Sequence, residues 1–384
     1  MEMQEAMEAF LNASKIPLSQ LPSYQTIRVV LGNPTCDLDS AVCALVQGLV
    51  EYMDAKKNGF ANVTVIPVMN IPEKELRIKT EVVYSLKSHG IPLNLLTFRD
   101  QIDLQNVQSD PNRRLELILV DHHTLEKEDL ALKSSVVTII DHRPLNPAWE
   151  WPNILLNVEI IGSCATLVAR NVLQKYPDIL DEQIASLLRG PILIDTFNML
   201  ERTTPTDVAV LNALEQLGKL TFDRTETFSK IMHAKTDFSG LTLEEIMIKD
   251  LKVTLGIPLV GFSILVENFL MRENAEEAIE KFANERNCNV VVLIGQDMMK
   301  EHVSRDIAIF STLCNQFASD IIQALAESTR PSLDLEFIKE IRKEKYIIYL
   351  YRQGNLKDTS YYMMFPAPYS VILGFINFVE IYIP

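Results

Sequence analysis

The first part of the chain alternates short apolar runs with stretches whose apolar residues recur at helical spacing. Four runs rich in Val, Ile and Leu are predicted to be buried β-strands: Ile27–Gly32, Val63–Val68, Leu115–Asp121 and Val136–Asp141. Helices are predicted at Ser40–Met53, with Ser40 as the N-cap, and at Glu81–Ser88. Near-continuous apolar strands are typical of parallel sheets that helices cover on both faces. We therefore expect an α/β domain with a doubly wound, mainly parallel sheet.

A second, smaller α/β domain is predicted beyond a helical stretch that runs from Ser163 to about Leu217. The strand-like runs in this part are 258–266, 289–294, 307–311 and 345–351, and the helical runs are 274–287 and 319–328. A more charged, less apolar segment precedes them, and we place the linker there. The predicted organisation is a first domain at 1–222, a linker at 223–238, a second domain at 239–360 and an apolar tail at 361–384.

The tail 361–384 differs in composition from both predicted domains. Its single charged residue is Glu380, and its length would suit a membrane span. Pro366, Pro368 and Asn377 argue against such a span, as does the lack of a basic flank. We expect an apolar strand or helix packed on the second domain, or an atypical carboxyl terminus.

Charge and cysteine content narrow the range of functions. The 36 Lys and Arg residues against 51 Asp and Glu residues give a net charge of −15, which excludes sequence-independent binding of nucleic acid through clustered cations. A small anionic substrate remains compatible, because a few cations and a metal reverse the field inside a cleft. The five cysteines form no CxxC pair and the amino terminus has no signal-peptide pattern. We therefore expect a reduced, cytoplasmic setting.

Acidic residues follow apolar runs at four places along the first part of the chain. They are Asp37 with Asp39 after the first predicted strand, Asp121 after the third, Asp141 with His142 after the fourth, and Asp195 after a later run. The carboxyl ends of strands in an open α/β sheet meet at one crevice, so we expect these side chains to converge. Carboxylates brought so close repel one another and need a cation to hold them together.

The expected cations are Mg²⁺ or Mn²⁺, because oxygen ligands with one imidazole suit these ions better than zinc or copper. Two ions about 3.5–4 Å apart would share a bridging carboxylate and activate water for in-line attack on phosphorus. Taken alone, the Asp37–Ser40 pattern is more often a turn with a helix cap, and an Asp-His pair at a strand end is commonly a loop hydrogen bond. The combination of all four places is what predicts a metal centre.

These residues resemble the motifs of the DHH superfamily of phosphoesterases. Within it, the likeness is to the prune branch, next to eukaryotic exopolyphosphatases and two-domain manganese pyrophosphatases. The ordered motifs are Asn33–Ser40, Val120–His122, Asp141–Arg143, Gly162–Thr166 and Asp195. The resemblance implies that Asp37 and Asp39 each bind a different ion and that Asp121 bridges the two. It also implies that His142 and Asp195 complete the second ion's site.

Three residues beside the implied metal ligands would act on substrate or orient the site. His122 would orient the site, and neither it nor His123 is expected among the metal ligands. The chain departs from the pyrophosphatase pattern at two positions, where Asn33 and Arg143 each stand in place of a histidine. Asn33 is a weaker, neutral ligand, so one ion would be held loosely. Arg143 suits bidentate binding of phosphate and joins the catalytic set.

Phosphate contacts are implied at two further places. The turn at Gly162–Thr166, and Gly162 and Ser163 in particular, would face the phosphates with the free N–H groups of a helix start. An ordinary N-cap is the alternative for this turn. The second domain resembles the DHHA2 domain that closes over substrate, and Lys252 and Arg305 would be its matching cations. Without the resemblance, both are ordinary surface charges.

The function that these expectations favour is hydrolysis of short inorganic polyphosphates, with release of terminal phosphate. Cleavage of a cyclic nucleotide in the same site is one alternative. A non-catalytic interaction protein that keeps the fold is another, although a retired site has no physical reason to keep five buried charges. The expected partner is a small phosphate-containing substrate, and the sequence indicates no protein partner, oligomeric state or chain-length preference.

Overall fold

The structure is a computed structural model that describes residues 5–15, 25–254, 256–297, 304–312, 316–327 and 334–353. The predicted tail at 361–384 lies outside the described residues. The chain forms two compact units that divide between Ala234 and Lys235. The division falls inside 223–238, and most of this segment, predicted as a linker, is a helix.

The first unit contains a parallel sheet that is six-stranded among the described residues. Its strands are β1 (Thr26–Leu31), β2 (Val63–Met69), β3 (Thr97–Phe98), β4 (Arg114–Val120), β5 (Val136–Asp141) and β6 (Leu155–Val158). Its helices are α1 (Glu5–Ser14), α2 (Leu38–Lys57), α3 (Thr80–Ser88), α4 (Leu104–Ser109), α5 (Cys164–Lys175), α6 (Glu182–Asp195) and α7 (Pro205–Leu217), and α8 (Arg224–Thr236) contains the division between the units. Short 3-10 helices lie at Glu73–Ile78, Leu93–Leu95, Arg99–Gln101, Lys127–Ser135 and Pro177–Ile179.

The strand order of the first unit places a crevice beside β1. The order is β3-β2-β1-β4-β5-β6, and every neighbouring pair is parallel. The chain runs outward from β1 to β3 and then returns to β4 on the other side of β1, which makes the carboxyl ends of β1 and β4 a topological switch point. The predicted doubly wound α/β class is confirmed. α2 packs on β1, β2, α5 and α6 and is buried over most of its length, so it holds its first turn rigidly at this crevice.

The start of α2 differs from the prediction that Ser40 is its N-cap. The helix begins at Leu38, and the N-cap is Asp37, whose side chain accepts a hydrogen bond from the Ser40 amide at 3.0 Å. The Ser40 hydroxyl instead accepts a bond from the Asn33 amide at 2.6 Å. A side chain at Gly32 would collide with that hydroxyl, since an added Cβ would lie 2.4 Å from it. The loop after β1 is thereby closed tightly against the helix.

The second unit contains a mixed sheet of order β11-β12-β10-β9-β8-β7 among its described residues. Its strands are β7 (Asp250–Thr254), β8 (Ile257–Phe262), β9 (Val290–Asp297), β10 (Ser304–Thr312), β11 (Leu335–Arg342) and β12 (Tyr346–Gln353). Its helices are α9 (Leu243–Lys249), α10 (Val266–Leu270), α11 (Ala275–Glu285) and α12 (Gln316–Glu327). The pair β8–β9 is parallel and the other pairs are antiparallel.

Helices cover both faces of the second sheet. Residues of α9 and α11 form one apolar core with Val260, Val291 and Phe310, and residues of α12 form another with Leu259 and Val292. Successive residues of a strand, such as Leu259 and Val260, face different cores. Both faces of the sheet are therefore apolar, which explains the near-continuous apolar runs in this part of the sequence. Among the helices of the described residues, none is both long and apolar enough to cross a membrane.

Candidate metal centre

Three of the predicted metal ligands meet at the carboxyl ends of adjacent strands. Asp39, Asp121 and His142 are buried, and each offers a ligand atom within 4.8 Å of the other two. Asp39 lies in the first turn of α2, after β1. Asp121 directly follows β4, and His142 directly follows β5. Because β1, β4 and β5 are neighbours in the sheet, the convergence follows from the parallel topology.

The Asp39 carboxylate is seated on the first turn of α5. Its Oδ1 accepts hydrogen bonds from the Ser163 hydroxyl at 2.9 Å and the Ala165 amide at 2.8 Å, and its Oδ2 accepts one from the Cys164 amide at 2.8 Å. Burial raises the pKa of Asp39 well above its ordinary value, and the charges of Asp195 and Asp121 raise it further. The helix start therefore orients a carboxylate that neighbouring negative charges oppose.

His142 has its ring fixed by a backbone carbonyl. Its Nδ1 lies 3.1 Å from the carbonyl oxygen of Ile161, which can only accept, so Nδ1 carries a proton. Its Nε2 faces the two carboxylates, 3.3 Å from Asp121 Oδ1 and 3.9 Å from Asp39 Oδ2. Burial lowers the pKa of His142, but the hydrogen bond and charge of Asp121 raise it overall. This is the orientation in which an imidazole binds a metal through Nε2.

Asp121 is held from two sides by neutral and cationic groups. Its backbone has φ of 60°, a left-handed conformation that Asp and Asn tolerate better than other side chains. Its Oδ1 accepts a bond from Arg143 Nη2 at 2.8 Å, and its Oδ2 accepts one from the Asn33 amide nitrogen. The Arg143 Nη1 also donates to the Asp121 carbonyl oxygen. Arg143 thus places positive charge beside the carboxylate that is expected to bridge two ions.

Asn33 presents its nitrogen, not its oxygen, to the centre. Its Oδ1 accepts hydrogen bonds from the amides of Thr35 at 2.9 Å and Cys36 at 3.1 Å. Two backbone N–H donors fix which end of the side chain is the oxygen. The expectation that Asn33 is a weak metal ligand is therefore wrong for this geometry, because the atom that faces Asp121 is a donor. Its predicted role in binding substrate remains untested.

Asp141 and His123 form a buried pair behind the centre. His123 Nδ1 lies 2.5 Å from Asp141 Oδ2, and His123 Nε2 accepts a bond from the Asn146 amide at 2.9 Å. The imidazole is therefore neutral, and its Nδ1 donates to the carboxylate. Burial would raise the pKa of Asp141, but the charge of Arg143 and the bond from His123 lower it overall. Both ring nitrogens of His123 have protein partners, and its expected place outside the metal ligands stays a prediction.

Asp37 and Asp195 lie beside the buried triad and act on it through their charges. Asp37 caps α2, and Asp195 is the last residue of α6, so its carboxylate comes from a helix and not from a strand. Burial and the charge of Asp37 raise the pKa of Asp195 to about 7, although Arg202 opposes this. All five predicted ligands thus belong to one electrostatic cluster, with three in ligating reach of one another.

The turn at Gly162–Thr166 binds carboxylates of the protein itself. The amides of Cys164 and Ala165 and the hydroxyl of Ser163 point at Asp39, as described above, and the amide of Gly162 donates to Asp207 at 2.9 Å. The expectation that free N–H groups here face phosphates is wrong for these donors, because their partners are buried carboxylates. A contact of Gly162 or Ser163 with substrate stays untested.

His122 is also buried, and its Nδ1 donates to the carbonyl oxygen of Val120 at 2.9 Å. Burial lowers the pKa of His122, although the neighbouring carboxylates oppose the shift. This neutral imidazole therefore has Nε2 as its acceptor atom. The arrangement is compatible with an orienting role next to Asp121, which stays a prediction.

Lys252 and Arg305 lie on the same face of the second unit's sheet. Lys252 pairs with Leu259, Leu259 with Val292, and Val292 with Ile309, and Arg305 precedes Ile309 by an even number of residues on β10. At ordinary strand spacing their Cα atoms are roughly 20 Å apart. Their role as phosphate contacts remains a prediction.

The donor set of the first unit fits a divalent cation. Asp39, Asp121 and His142 supply carboxylate oxygens and one imidazole nitrogen at close range, with Asp37 and Asp195 alongside. Hard oxygen donors with one imidazole are the ligands of Mg²⁺ and Mn²⁺. Burial and the charges of Asp195 and Asp121 raise the pKa of Asp39, so its charged form is disfavoured where these carboxylates lie together. A cation at this point would supply the opposing positive charge.

The affinity for Mn²⁺ is expected to rise between about pH 6 and pH 8. The pKa of Asp195 is about 7 and that of His142 is raised, so below these values protons compete with the metal. Each displaced proton weakens binding by up to roughly tenfold per pH unit below the pKa of its group. Calorimetric titration in buffers of different ionisation enthalpy would measure both the affinity and the protons released.

Asp195→Asn is the matched control for this pH dependence. This variant should bind Mn²⁺ more weakly at pH 8, with a shallower slope and fewer released protons, because one titrating ligand is gone. Equal affinities of the wild type at pH 6 and pH 8 would contradict the expectation.

Comparisons with the sequences of known proteins found similarities over both parts of the chain. Residues 229–357 match the family model described as the DHHA2 domain. The human exopolyphosphatase PRUNE1 (Homo sapiens) is 36% identical over 360 residues, which cover 91% of this chain and 76% of that protein. A manganese-dependent inorganic pyrophosphatase of Methanothrix thermoacetophila is 25% identical over 195 residues, 48% of this chain and 61% of that protein.

A solved structure supports the fold at lower sequence identity. It is a Methanococcus jannaschii protein assigned to the family II inorganic pyrophosphatases, with a TM-score of 0.58 and 19% identity. The match covers 90% of this chain and 99% of the other. At this identity the likeness establishes the shared architecture alone.

Proposed function

Because this chain belongs to the prune branch of the DHH phosphoesterases, we propose that it hydrolyses the phosphoanhydride bonds of short inorganic polyphosphates with the aid of divalent cations. Relatives named as an exopolyphosphatase and an inorganic pyrophosphatase support a hydrolase acting on acid anhydrides. We further propose two ions, Mg²⁺ or Mn²⁺, in-line attack by a hydroxide on the terminal phosphorus, and a cytoplasmic location, where the buried free thiols Cys36, Cys43 and Cys164 would stay reduced.

The observation that carries this proposal is the buried triad Asp39, Asp121 and His142 at one switch point of the sheet. A bound divalent cation would lower the pKa of a coordinated water and offset the charge of the phosphoryl oxygens. The protein would contribute position and rigidity, because three donors of the α5 turn fix Asp39 and the Ile161 carbonyl fixes His142. Fixed ligands avoid the cost of reorganisation during reaction.

Arg143 and His122 are proposed to act on the substrate beside this triad. Arg143 carries a guanidinium whose fork matches two phosphate oxygens, and its contact with Asp121 keeps it at the centre. The neutral His122 would orient the attacking water through Nε2. Both residues belong to the first unit.

Phosphate release from tripolyphosphate tests the proposal. Purified protein with Mg²⁺ should release orthophosphate. Chelation by EDTA should abolish the release, because without a divalent cation the triad cannot activate the attacking water. Pyrophosphate and cyclic AMP under the same conditions would rank the alternative substrates by kcat/KM. A higher kcat/KM for cyclic AMP would favour the phosphodiesterase. Absence of turnover on every substrate, with Mn²⁺ bound, would favour the non-catalytic interaction protein.

A further inference from the structure

Asp207 is a buried carboxylate that the sequence analysis did not single out. It lies in the first turn of α7 and has no solvent-exposed surface. Its Oδ2 accepts bonds from the Thr204 amide at 2.8 Å and the Thr204 hydroxyl at 2.7 Å. The bond from the Thr204 amide, together with the Asp207 amide donating to the Thr204 hydroxyl at 3.3 Å, forms the capping box of α7, which the pattern Thr204-x-x-Asp207 signals in the sequence. An ordinary capping box would need no further donors.

Two more donors reach Asp207 from the turn that seats Asp39. The Gly162 amide donates to Oδ2 at 2.9 Å, and the Thr166 hydroxyl donates to Oδ1 at 2.6 Å. The residues between them, from Ser163 to Ala165, donate to Asp39. Five consecutive residues thus divide their donors between two carboxylates. The ends of the turn bind Asp207, and its middle binds the metal ligand.

The turn is tightly packed at its first residue, Gly162. An added Cβ on Gly162 would lie 2.4 Å from Thr196 Cγ2 and 3.0 Å from both the Arg202 carbonyl and Asp207 Oδ2. Thr196 directly follows Asp195, the ligand at the end of α6. A displacement of this turn would therefore move the donors of Asp39 and would press on Thr196, next to Asp195.

We propose that Asp207 is a positioning residue for the metal centre. Asp207 accepts hydrogen bonds from both ends of the turn and so fixes the donors of Ser163, Cys164 and Ala165 between them. These donors in turn hold the Asp39 carboxylate with Oδ2 toward His142. This inference shares one assumption with the proposed function, namely that Asp39 binds a divalent cation. Residues that hold a metal ligand in place typically change metal affinity by 10- to 100-fold when replaced.

Asp207→Asn tests this role with little change of volume. The amide nitrogen of Asn cannot accept bonds, so either the Gly162 and Thr204 donors or the Thr166 hydroxyl lose their acceptor. We expect the Kd for Mn²⁺, measured by calorimetry, to rise by roughly 10- to 100-fold. In steady-state assays at subsaturating Mg²⁺, kcat should fall while KM for tripolyphosphate stays near the wild-type value, since Asp207 does not touch substrate.

Asp306→Asn is the matched control in the other unit. Asp306 is also buried and accepts two amides, those of Val266 at 2.7 Å and Glu267 at 2.9 Å, at the start of α10. This variant should lower the Tm of the metal-free protein without changing the Kd for Mn²⁺. A wild-type Kd in Asp207→Asn would overturn the inference, because a purely structural cap would alter Tm alone.

Thr166 provides a second test should Asp207→Asn fail to fold. Thr166→Val removes one donor to Asp207 at constant volume, whereas Thr166→Ser keeps the hydroxyl. Weaker Mn²⁺ binding in the valine variant than in the serine variant supports the role, and equal binding refutes it. A wild type that binds Mn²⁺ yet releases no phosphate would refute the proposed function while leaving this comparison valid. A wild type that binds no Mn²⁺ would overturn both.

Discussion

Asp121→Asn is expected to lower kcat for tripolyphosphate by at least two orders of magnitude, roughly the scale for losing a catalytic metal interaction. Asparagine lacks the negative charge of Asp121, whose Oδ1 faces both Arg143 and His142, and it has only one oxygen acceptor in place of two. It is preferable to alanine here, because φ of 60° at this position would strain an alanine backbone. Initial rates of phosphate release at saturating Mg²⁺ measure the effect.

Asp129→Asn serves as the control for Asp121→Asn. Asp129 is another carboxylate of the first unit, and its partner is Arg99 at 2.7 Å, apart from the metal centre. Its replacement should leave kcat within about twofold of the wild type, in keeping with the small energies of such pairs. A rate for Asp121→Asn equal to that of the control would discard the assignment of the catalytic site.

Arg143→Met is expected to lower kcat/KM by about 100-fold and to destabilise the metal-free protein by about 3 kcal/mol. The second effect arises because Asp121 and Asp141 would lose a cationic partner inside the protein. Saturating Mn²⁺ should reduce this loss of stability, since a cation at the triad replaces the missing positive charge. Urea unfolding of both proteins, with and without Mn²⁺, gives the four free energies of unfolding required.

Arg143→Lys separates charge from geometry at the same position. Lysine keeps the positive charge but not the planar fork, so it should restore most of the stability of the metal-free protein and little of the activity. If Mn²⁺ leaves the destabilisation of Arg143→Met unchanged, Arg143 supports the fold and not the charge balance of the centre. Full activity in Arg143→Lys would argue against bidentate contact with phosphate.

The parallel sheet and the triad were predictable from the sequence because both follow from patterns of apolar runs. β1, β2, β4 and β5 are long, buried and bounded by polar residues, and their carboxyl ends share one edge. The strands β3 and β6 are not predicted, because they are only two and four residues long, at Thr97–Phe98 and Leu155–Val158. The edge strand β11 is not predicted either, because charged residues interrupt its apolar positions and all of its residues are exposed or half-buried.

The roles of individual polar side chains were harder to predict than the fold. The direction of the Asn33 amide depends on the amides of Thr35 and Cys36, whose positions only the folded loop defines. The turn at Gly162–Thr166 looked like a phosphate-binding helix start, and such a start serves equally well for a carboxylate of the protein. Sequence pattern therefore locates an anion site without identifying the anion.

The seat of Asp39 on α5 has a consequence for the order of events during synthesis. The Ser163 hydroxyl reaches Asp39 across 124 positions of the chain, and Asp207 holds the same turn from farther along still. A nascent chain of which only β1 and α2 have been synthesised contains Asp37 and Asp39. It does not yet contain the turn of α5 whose donors orient the Asp39 carboxylate. If the centre binds a cation as proposed, we therefore expect the ligand geometry described here to be complete only after α7 has emerged from the ribosome.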